Sequence, residues 1–369
     1  MTSFARSSDV DTEKPLSRRD LEQLIRANEN SARGLSLLGR CLCGINLAEP
    51  SPLNLDGVDL RKANLQGADL RRVSLKDAKL SGAKLENANL RWAVLKRAEL
   101  KNTNFSNADL SYANFQEADL TDADLTNARL FGACLGHAYL AHARLRDCIG
   151  LTRDHLRKSV GEEKAGDYAS AKEVYLQLKN YFLSVGRYDD AGWAYVKERR
   201  MERATYWPFR AKVIYREEFA EDPNLRSKKF FGLIYRLSMM LRRIILYLKY
   251  SWFWALSFFY DLLCEYGEST LRIVVSSLVI ILLYAAIYYY SGALEFVGEQ
   301  ANALGLRGEV TDPLVSLYFS FLAFNSVIFG GVLPKLEPRA QLLVGSEAFV
   351  GVFMAALFVF VMGRKIGGR

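Results

Sequence analysis

The chain has 369 residues, 50% of them hydrophobic and 24% charged, with a formal net charge of +8. At roughly 100–200 residues per domain this length allows two or three domains, and so much apolar material excludes a disordered tail protein. Five scattered cysteines (Cys41, Cys43, Cys134, Cys148, Cys264) and three histidines (His137, His142, His155) exclude a disulfide framework and leave little for a metal centre. No paired carboxylates, nucleophile–histidine arrangement or phosphate loop stands out, so the expectation is a non-enzyme with no cofactor and no metal.

The opening residues, MTSFARSSDVDTEKP, lack an apolar signal core, which predicts a cytoplasmic start and a disordered tail over 1–15. Ser17 and Asp20 stand at capping-box spacing ahead of Leu21, Leu24 and Ile25, so a capping helix is expected there. Residues 1–40 are read as this tail and cap. From Leu55 to Leu145 every fifth residue is Leu or Phe, nineteen times in succession. The residue two places earlier is almost always Ala, with Leu53, Val58, Val73 and Thr103 among the exceptions. A period of five suits neither a 3.6-residue helix nor a two-residue strand. It suits a coil of four short sides, each giving one large and one small residue to the axis, with coils stacked about 4.8 Å apart.

The unit A-(D/N/x)-L-x-x resembles the pentapeptide-repeat family, and the resemblance implies a right-handed quadrilateral β-helix, assigned to 41–150. Over 55–148 there are 14 Lys/Arg against 12 Asp/Glu, so the rod is near neutral and DNA mimicry is not expected. A solvated scaffold able to take a protein partner is expected instead.

Thr152-Arg153-Asp154-His155-Leu156 reads as the exit cap of the rod. Two phrases, Gly166-Asp167-Tyr168-Ala169-Ser170-Ala171 and Gly186-Arg187-Tyr188-Asp189-Asp190-Ala191, each open a helix. Together they predict a helical hairpin over 151–205 that resembles one tetratricopeptide-like repeat. Residues 206–265 mix Arg and Lys with aromatics such as Trp252, Phe253 and Trp254, the pattern of helices lying on a membrane face. A third span over Ile244–Cys264 is the alternative, opposed by Lys249 and Asp261. Because this positive charge sits beside apolar segments and not on the rod, no nucleic-acid partner is expected.

Ile273–Ser291 is an uncharged run of 19 residues, about 28 Å as a helix. Leu342–Met362 is a second apolar run, broken only by Glu347. Two such runs predict an integral membrane protein, with a bacterial inner membrane the expected home. The intervening 292–341 is acidic, whereas Arg242, Arg243 and Arg272 precede the first run and Arg364, Lys365 and Arg369 follow the second, so both termini are expected in the cytoplasm.

Between the runs, Asp312-Pro313 opens an apolar stretch to Asn325 that is too short to span. It is followed by Ser326-Val327-Ile328-Phe329-Gly330-Gly331-Val332-Leu333-Pro334. A short helix and return loop of this kind resembles the two-transmembrane potassium-channel family, whose text is S-F-x-T-x-T-T-V-G-Y-G-D-x-x-P. Ser320-Phe321 and Pro334 match, and 266–369 is assigned as this module. The resemblance implies two α-helical spans with a re-entrant pore helix (Ser320, Phe321, Phe324, Asn325), a filter formed by Ser326, Val327, Ile328, Phe329, Gly330 and Gly331, and a homotetramer in a lipid membrane. Ile328 stands at the family's first filter glycine and Gly331 at its aspartate, so the expected cargo is a monovalent cation, potassium or unselected. Glu347 is read either as a functional group within a span or as a hydrogen-bond partner of the pore helix. Gly351 is read either as a gating hinge or as a close-packing position. The function expected is a cation channel regulated by the cytoplasmic rod; the alternative is a membrane-anchored interaction scaffold that does not conduct.

Overall fold

The computed structural model describes residues 15–205, 229–297, 308–327 and 332–367, in two compact units, Met1–Arg210 and Ala211–Arg369. The tail expected over 1–15 lies outside the described residues, Pro15 excepted. The first unit begins with helix α1 (Arg18–Ala27), closed by the expected capping box. Ser17 Oγ accepts the Asp20 N–H at 3.3 Å and the Asp20 carboxylate accepts the Ser17 N–H at 2.9 Å. Leu16 N–H donates to the Cys41 carbonyl at 3.0 Å and seats the cap on the first coil.

The β-helix starts earlier than 41, and the cap is correspondingly shorter than 16–40. Ser36, Cys41 and Asn46 already pair in parallel with Asp59, Asn64 and Asp69, over buried Leu37, Leu42 and Leu47. These pairs lie 23 positions apart (36 to 59), whereas Asn54 pairs with Ser74 and the later bridges keep that spacing of 20. Three extra residues in the first coil break the leucine register, which is why the period of five misses that coil.

Twenty residues per coil make four sides of five. In a typical unit the Leu60 N–H donates to Lys79 O of the next coil at 2.7 Å, and Leu60 O accepts from Ala63 across the corner at 3.1 Å. The corner residue, Lys62, takes the left-handed conformation with φ 57°. That costs a non-glycine residue about 1–2 kcal/mol, which is why Asn87, Asn102 and Asp122 suit this place. Where the residue before a leucine is Asp or Asn, its side chain supports the turn: Asp59 Oδ1 accepts the Arg61 N–H at 3.2 Å, and Asn64 Oδ1 accepts the Gln66 N–H at 3.1 Å. Thr103, the polar exception in the alanine column, donates its hydroxyl to Leu80 O at 2.9 Å and so leaves no unpaired group inside. Phe105 and Phe115 meet edge to face in the interior, 6.0 Å between centroids.

The last coil has backbone groups with no further coil to bond. Part of that place is taken by backbone, the His155 and Ser159 carbonyls accepting the Leu135 and His137 N–H groups at 2.8 and 3.2 Å, and part by side chains. Gly132 N–H donates to His155 Nε2 at 3.0 Å, in a 3-10 turn over Arg153–Leu156. The Leu140 and Ala141 N–H groups both donate to Glu162 Oε1, at 2.6 and 2.7 Å, from helix α2 (Gly161–Ala165). Glu162 is 3% exposed and its Oε2 has no partner among the described residues. Burial holds the Glu162 carboxyl above the usual carboxylate range and the His155 imidazole below its usual value. Helices α3 (Tyr168–Ser184) and α4 (Tyr188–Thr205) form the hairpin, laced by Lys179–Glu198 at 2.7 Å and tied to α2 by Lys197–Glu163 at 2.9 Å. Val174, Tyr175 and Leu178 join the core of the rod, and Tyr181 donates to Cys148 O at 3.0 Å.

In the second unit the described part of the segment 206–265, where interfacial helices are expected, forms helix α5 (Lys229–Cys264), and 206–228 lies outside the described residues. An elbow at Glu265–Gly267, with Tyr266 and Gly267 left-handed, leads into α6 (Thr270–Ser291). A sheet that the sequence does not announce follows, in the order β2 (Gly308–Glu309), β1 (Leu294–Phe296), β3 (Val332–Pro334), all antiparallel. Its strands are too short to show alternation. Helix α7 (Pro313–Phe324) precedes β3, and α8 (Pro338–Gly367) closes the unit.

Replacing Glu162 tests the capping role. Because burial raises its pKa, the stability this group contributes is full below the usual carboxylate range and is lost as pH rises through the raised value. Glu162→Ala strands two amides and speeds hydrogen exchange at Leu140 and Ala141 roughly ten- to hundred-fold, the equivalent of about 1–3 kcal/mol. Glu162→Gln keeps the acceptor without the charge, so it retains protection and removes this pH dependence. Unchanged exchange in the alanine variant would rule out the surrogate-strand role.

Candidate functional site

Helix α7 is a dead end between two longer helices. Asp312 caps it by accepting the Leu314 N–H at 2.8 Å, and Pro313 opens it where a missing N–H costs nothing. Ser316, Phe319, Ser320, Ala323 and Phe324 are buried, while Leu314, Tyr318 and Phe321 form an exposed stripe. The chain that leaves α7 at Phe324 is paired with β1 again by Val332.

Two contacts seat α7. The first is polar. Glu347 of α8 is fully buried and accepts from Tyr288 Oη of α6 at 2.6 Å. Ser320 Oγ lies against Glu347 Oε1 and donates to Ile281 O at 2.8 Å, so one hydroxyl touches both long helices. The second is steric. A Cβ on Gly351 would fall 1.7 Å from Phe324 O, so the end of α7 rests directly on the backbone of α8. Gly351 is thus a close-packing position, and Glu347 hydrogen-bonds the short helix.

Of the expected pore-helix residues, Ser320 and Phe324 face the long helices, Phe321 faces outward, and Asn325 folds back to donate to Phe321 O at 2.7 Å. Ser326 turns the chain with φ 57° and Val327 N–H donates to Leu322 O at 2.9 Å. Ile328, Phe329, Gly330 and Gly331 lie outside the described residues.

Among the described residues, α6 and Pro338–Lys365 of α8 are long and apolar enough to cross a membrane. Both leave broad apolar faces exposed, including Leu278, Leu282 and Ile287 on α6 and Leu342, Phe349 and Val359 on α8. At the elbow, Arg272 pairs with Glu265 at 3.1 Å and Arg364, near the end of α8, pairs with Glu268.

The rod carries a second candidate, on one of its corners. Trp92 and Tyr112 occupy the same place in successive coils and stack at 4.3 Å with rings 5° apart. Tyr112 lies over Gly132 and Phe131 over Gly150, where any Cβ would meet the ring at 2.5 Å. Trp92, Tyr112, Phe131 and Ile149 are each about half exposed, at 52, 45, 49 and 46%. On this corner Arg71 pairs with Asp69 at 2.7 Å and Arg91 with Asp109 at 3.6 Å. Reading every fifth residue finds the core; only reading every twentieth brings Trp92 and Tyr112 together.

The model of pentapeptide repeats matches residues 54–91 and 88–127, in eight copies. The rod is a pentapeptide-repeat domain. Solved structures similar to it include HetL from the cyanobacterium Nostoc sp. strain PCC 7120, 26% identical over 35% of this chain and 53% of its own, with a TM-score of 0.31. The match thus spans about half of HetL. The pentapeptide-repeat protein Rfr23 from Cyanothece 51142 is 24% identical over 35% of this chain and 93% of its own, with a TM-score of 0.22. The pentapeptide-repeat protein alr5209 of Nostoc PCC 7120 is 31% identical over 27% of this chain and 65% of its own, with a TM-score of 0.19. No curated protein matches the chain significantly.

Beyond the pentapeptide-repeat domain, the seat of α7 can be tested directly. Gly351→Ala drives a methyl group into the Phe324 carbonyl, and Glu347→Leu leaves the Tyr288 hydroxyl without its acceptor. Each lowers the stability of the purified protein, the leucine variant by about 1–3 kcal/mol. Glu347→Gln keeps an oxygen for Tyr288 and supplies an N–H to Ser320, so it melts close to the parent. Equal melting of all variants in detergent would refute this seat.

Proposed function

We propose that the chain is one subunit of a passive cation channel whose cytoplasmic pentapeptide-repeat domain regulates a two-span pore. The observation that carries this reading is the dead-end helix. Its 12 residues, about 18 Å long, stop against Gly351, well inside the 30 residues of α8. With α6 and α8 crossing a bilayer, the C-terminal end of α7 lies near mid-depth and aims its negative dipole end at an ion on the axis.

One re-entrant helix cannot enclose an axis, so four copies surround it, joined through the exposed apolar faces. Backbone carbonyls of Ser326 and Val327, with those of Ile328 and Phe329, replace the water shell of the ion. Ile328 disfavours the left-handed backbone that glycine permits, which argues for weak discrimination between potassium and sodium. The pairs Arg272–Glu265 and Arg364–Glu268 tie the start of α6 and the end of α8 to the elbow that follows α5 and offer a route for movement to reach the pore.

The second reading is an interaction scaffold that only anchors in the membrane. The Trp92–Tyr112 corner favours it, because exposed Trp, Tyr and Arg are the residue types that dominate protein interfaces.

Flux through purified protein in liposomes separates the two. The expected result is passage of potassium and sodium and exclusion of a large organic cation, with Ile328→Gly raising the preference for potassium. Absence of flux under every gradient, from protein whose mass shows a tetramer, would transfer the function to the scaffold.

A further inference from the structure

Cys41 and Cys43 flank Leu42 on one side of the first coil. Alternate residues of extended backbone share a face, so burying Leu42, 1% exposed, turns both cysteines outward. Their sulfur atoms lie 2.8 Å apart. Cys43 is exposed and Cys41 half-buried, whereas Cys148 and Cys264 are buried. No third ligating side chain joins the pair to make a metal cluster among the described residues.

The two sulfurs have unequal roles. The hydrogen bond with Cys43 holds the Cys41 thiol below its ordinary range. Burial, with the hydrogen bond to Cys41, holds Cys43 above it, and the charge of Lys84 partly offsets this. Cys41 is therefore the sulfur that loses its proton first and attacks, and Cys43 is the one held beside it to complete the exchange. Burial pushes the Cys148 thiol up to about 11, so that sulfur stays protonated and inert.

We propose that Cys41 and Cys43 form a vicinal dithiol that reduces a low-molecular-weight disulfide and closes an intrachain disulfide. The Cys41 thiolate attacks one sulfur of the small disulfide. Its S–S bond breaks and one small thiolate leaves and takes a proton, giving a mixed disulfide on Cys41. Cys43 gives its proton to water and attacks Cys41 Sγ, and the second small thiolate leaves. Two electrons have passed from the protein to the small disulfide, which becomes two thiols. A ring closed over a single intervening residue is strained, and strained disulfides are the more easily reduced ones, so excess thiol reverses the exchange.

The test treats the purified full chain with glutathione disulfide, alkylates the remaining thiols and weighs the peptide holding both cysteines. The expected peptide is two hydrogens lighter than the dithiol form and carries neither alkyl group nor glutathione, and a tenfold excess of glutathione restores two alkylation sites. In Cys43→Ser the exchange stops at one glutathione on Cys41, and in Cys41→Ser modification of Cys43 is at least several-fold slower. Both substitutions are on the outer face, so the core is untouched. Alkylation of both cysteines in the parent, or one glutathione on each, overturns the proposal.

Discussion

A square coil has four inward sides, and each must present one large and one small side chain to a shared axis. That constraint organises the whole first unit. Burying a leucine contributes roughly 1.5–3 kcal/mol, and the ladder from Leu55 to Leu145 repeats this at every side. The corners then have to turn within two residues, which forces the left-handed conformation on Lys62, Trp92, His137 and their equivalents. Burial offsets that strain. A coil with neighbours above and below must also match both in length, so an insertion disturbs two interfaces. The three extra residues sit where one neighbour is a helix, in the first coil, and there the mismatch has only one side to satisfy.

The same constraint creates the problem of the ends. Stacked coils consume their own backbone donors and acceptors, and the terminal coil has a row left over, each buried orphan costing about as much as a lost hydrogen bond. At the start the capping chain supplies a backbone N–H, from Leu16 to Cys41. At the finish the row is met in part by the backbone carbonyls of His155 and Ser159 and in part by side chains, the His155 ring nitrogen and the Glu162 carboxyl standing where strand carbonyls would be. Glu162 is placed there at the expense of an unpartnered oxygen, a cost that the hairpin packed behind it helps to hold in place.

How much of this is legible in the sequence follows from what each feature repeats. The core of the rod repeats every five residues and reads directly; the corner of Trp92 and Tyr112 repeats every twenty and is hidden by the shorter period. The first coil escapes because its insertion breaks the register. Glu162 is one of two adjacent acidic residues on a short helix, and its bonds to Leu140 and Ala141 are tertiary facts. Glu347 is conspicuous because it is charged inside an apolar run, yet its partners Tyr288 and Ser320 are ordinary residues for such helices. Gly351 invites two readings in sequence, and the close packing becomes visible only in three dimensions, where an added Cβ would fall 1.7 Å from Phe324 O. The three-stranded sheet offers nothing to read, because two or three residues cannot establish an alternation.

In the proposed membrane setting, apolar helices gain little by choosing one another over lipid, since a leucine is as well solvated by an acyl chain as by another leucine. The position of α7 then has to come from something other than hydrophobicity. Two different devices supply it. Glu347, Ser320 and Tyr288 fix the rotation of α7, because only one face can bring Ser320 to the carboxylate and to Ile281 O together. Gly351 fixes its depth, because the end of the helix comes to rest where α8 has no Cβ. Rotation and depth together determine where Ser326 turns the chain. A site on an axis of four copies needs each copy to deliver that turn to the same place. The buried carboxylate and the bare glycine are therefore best understood as one positioning device for the turn at Ser326.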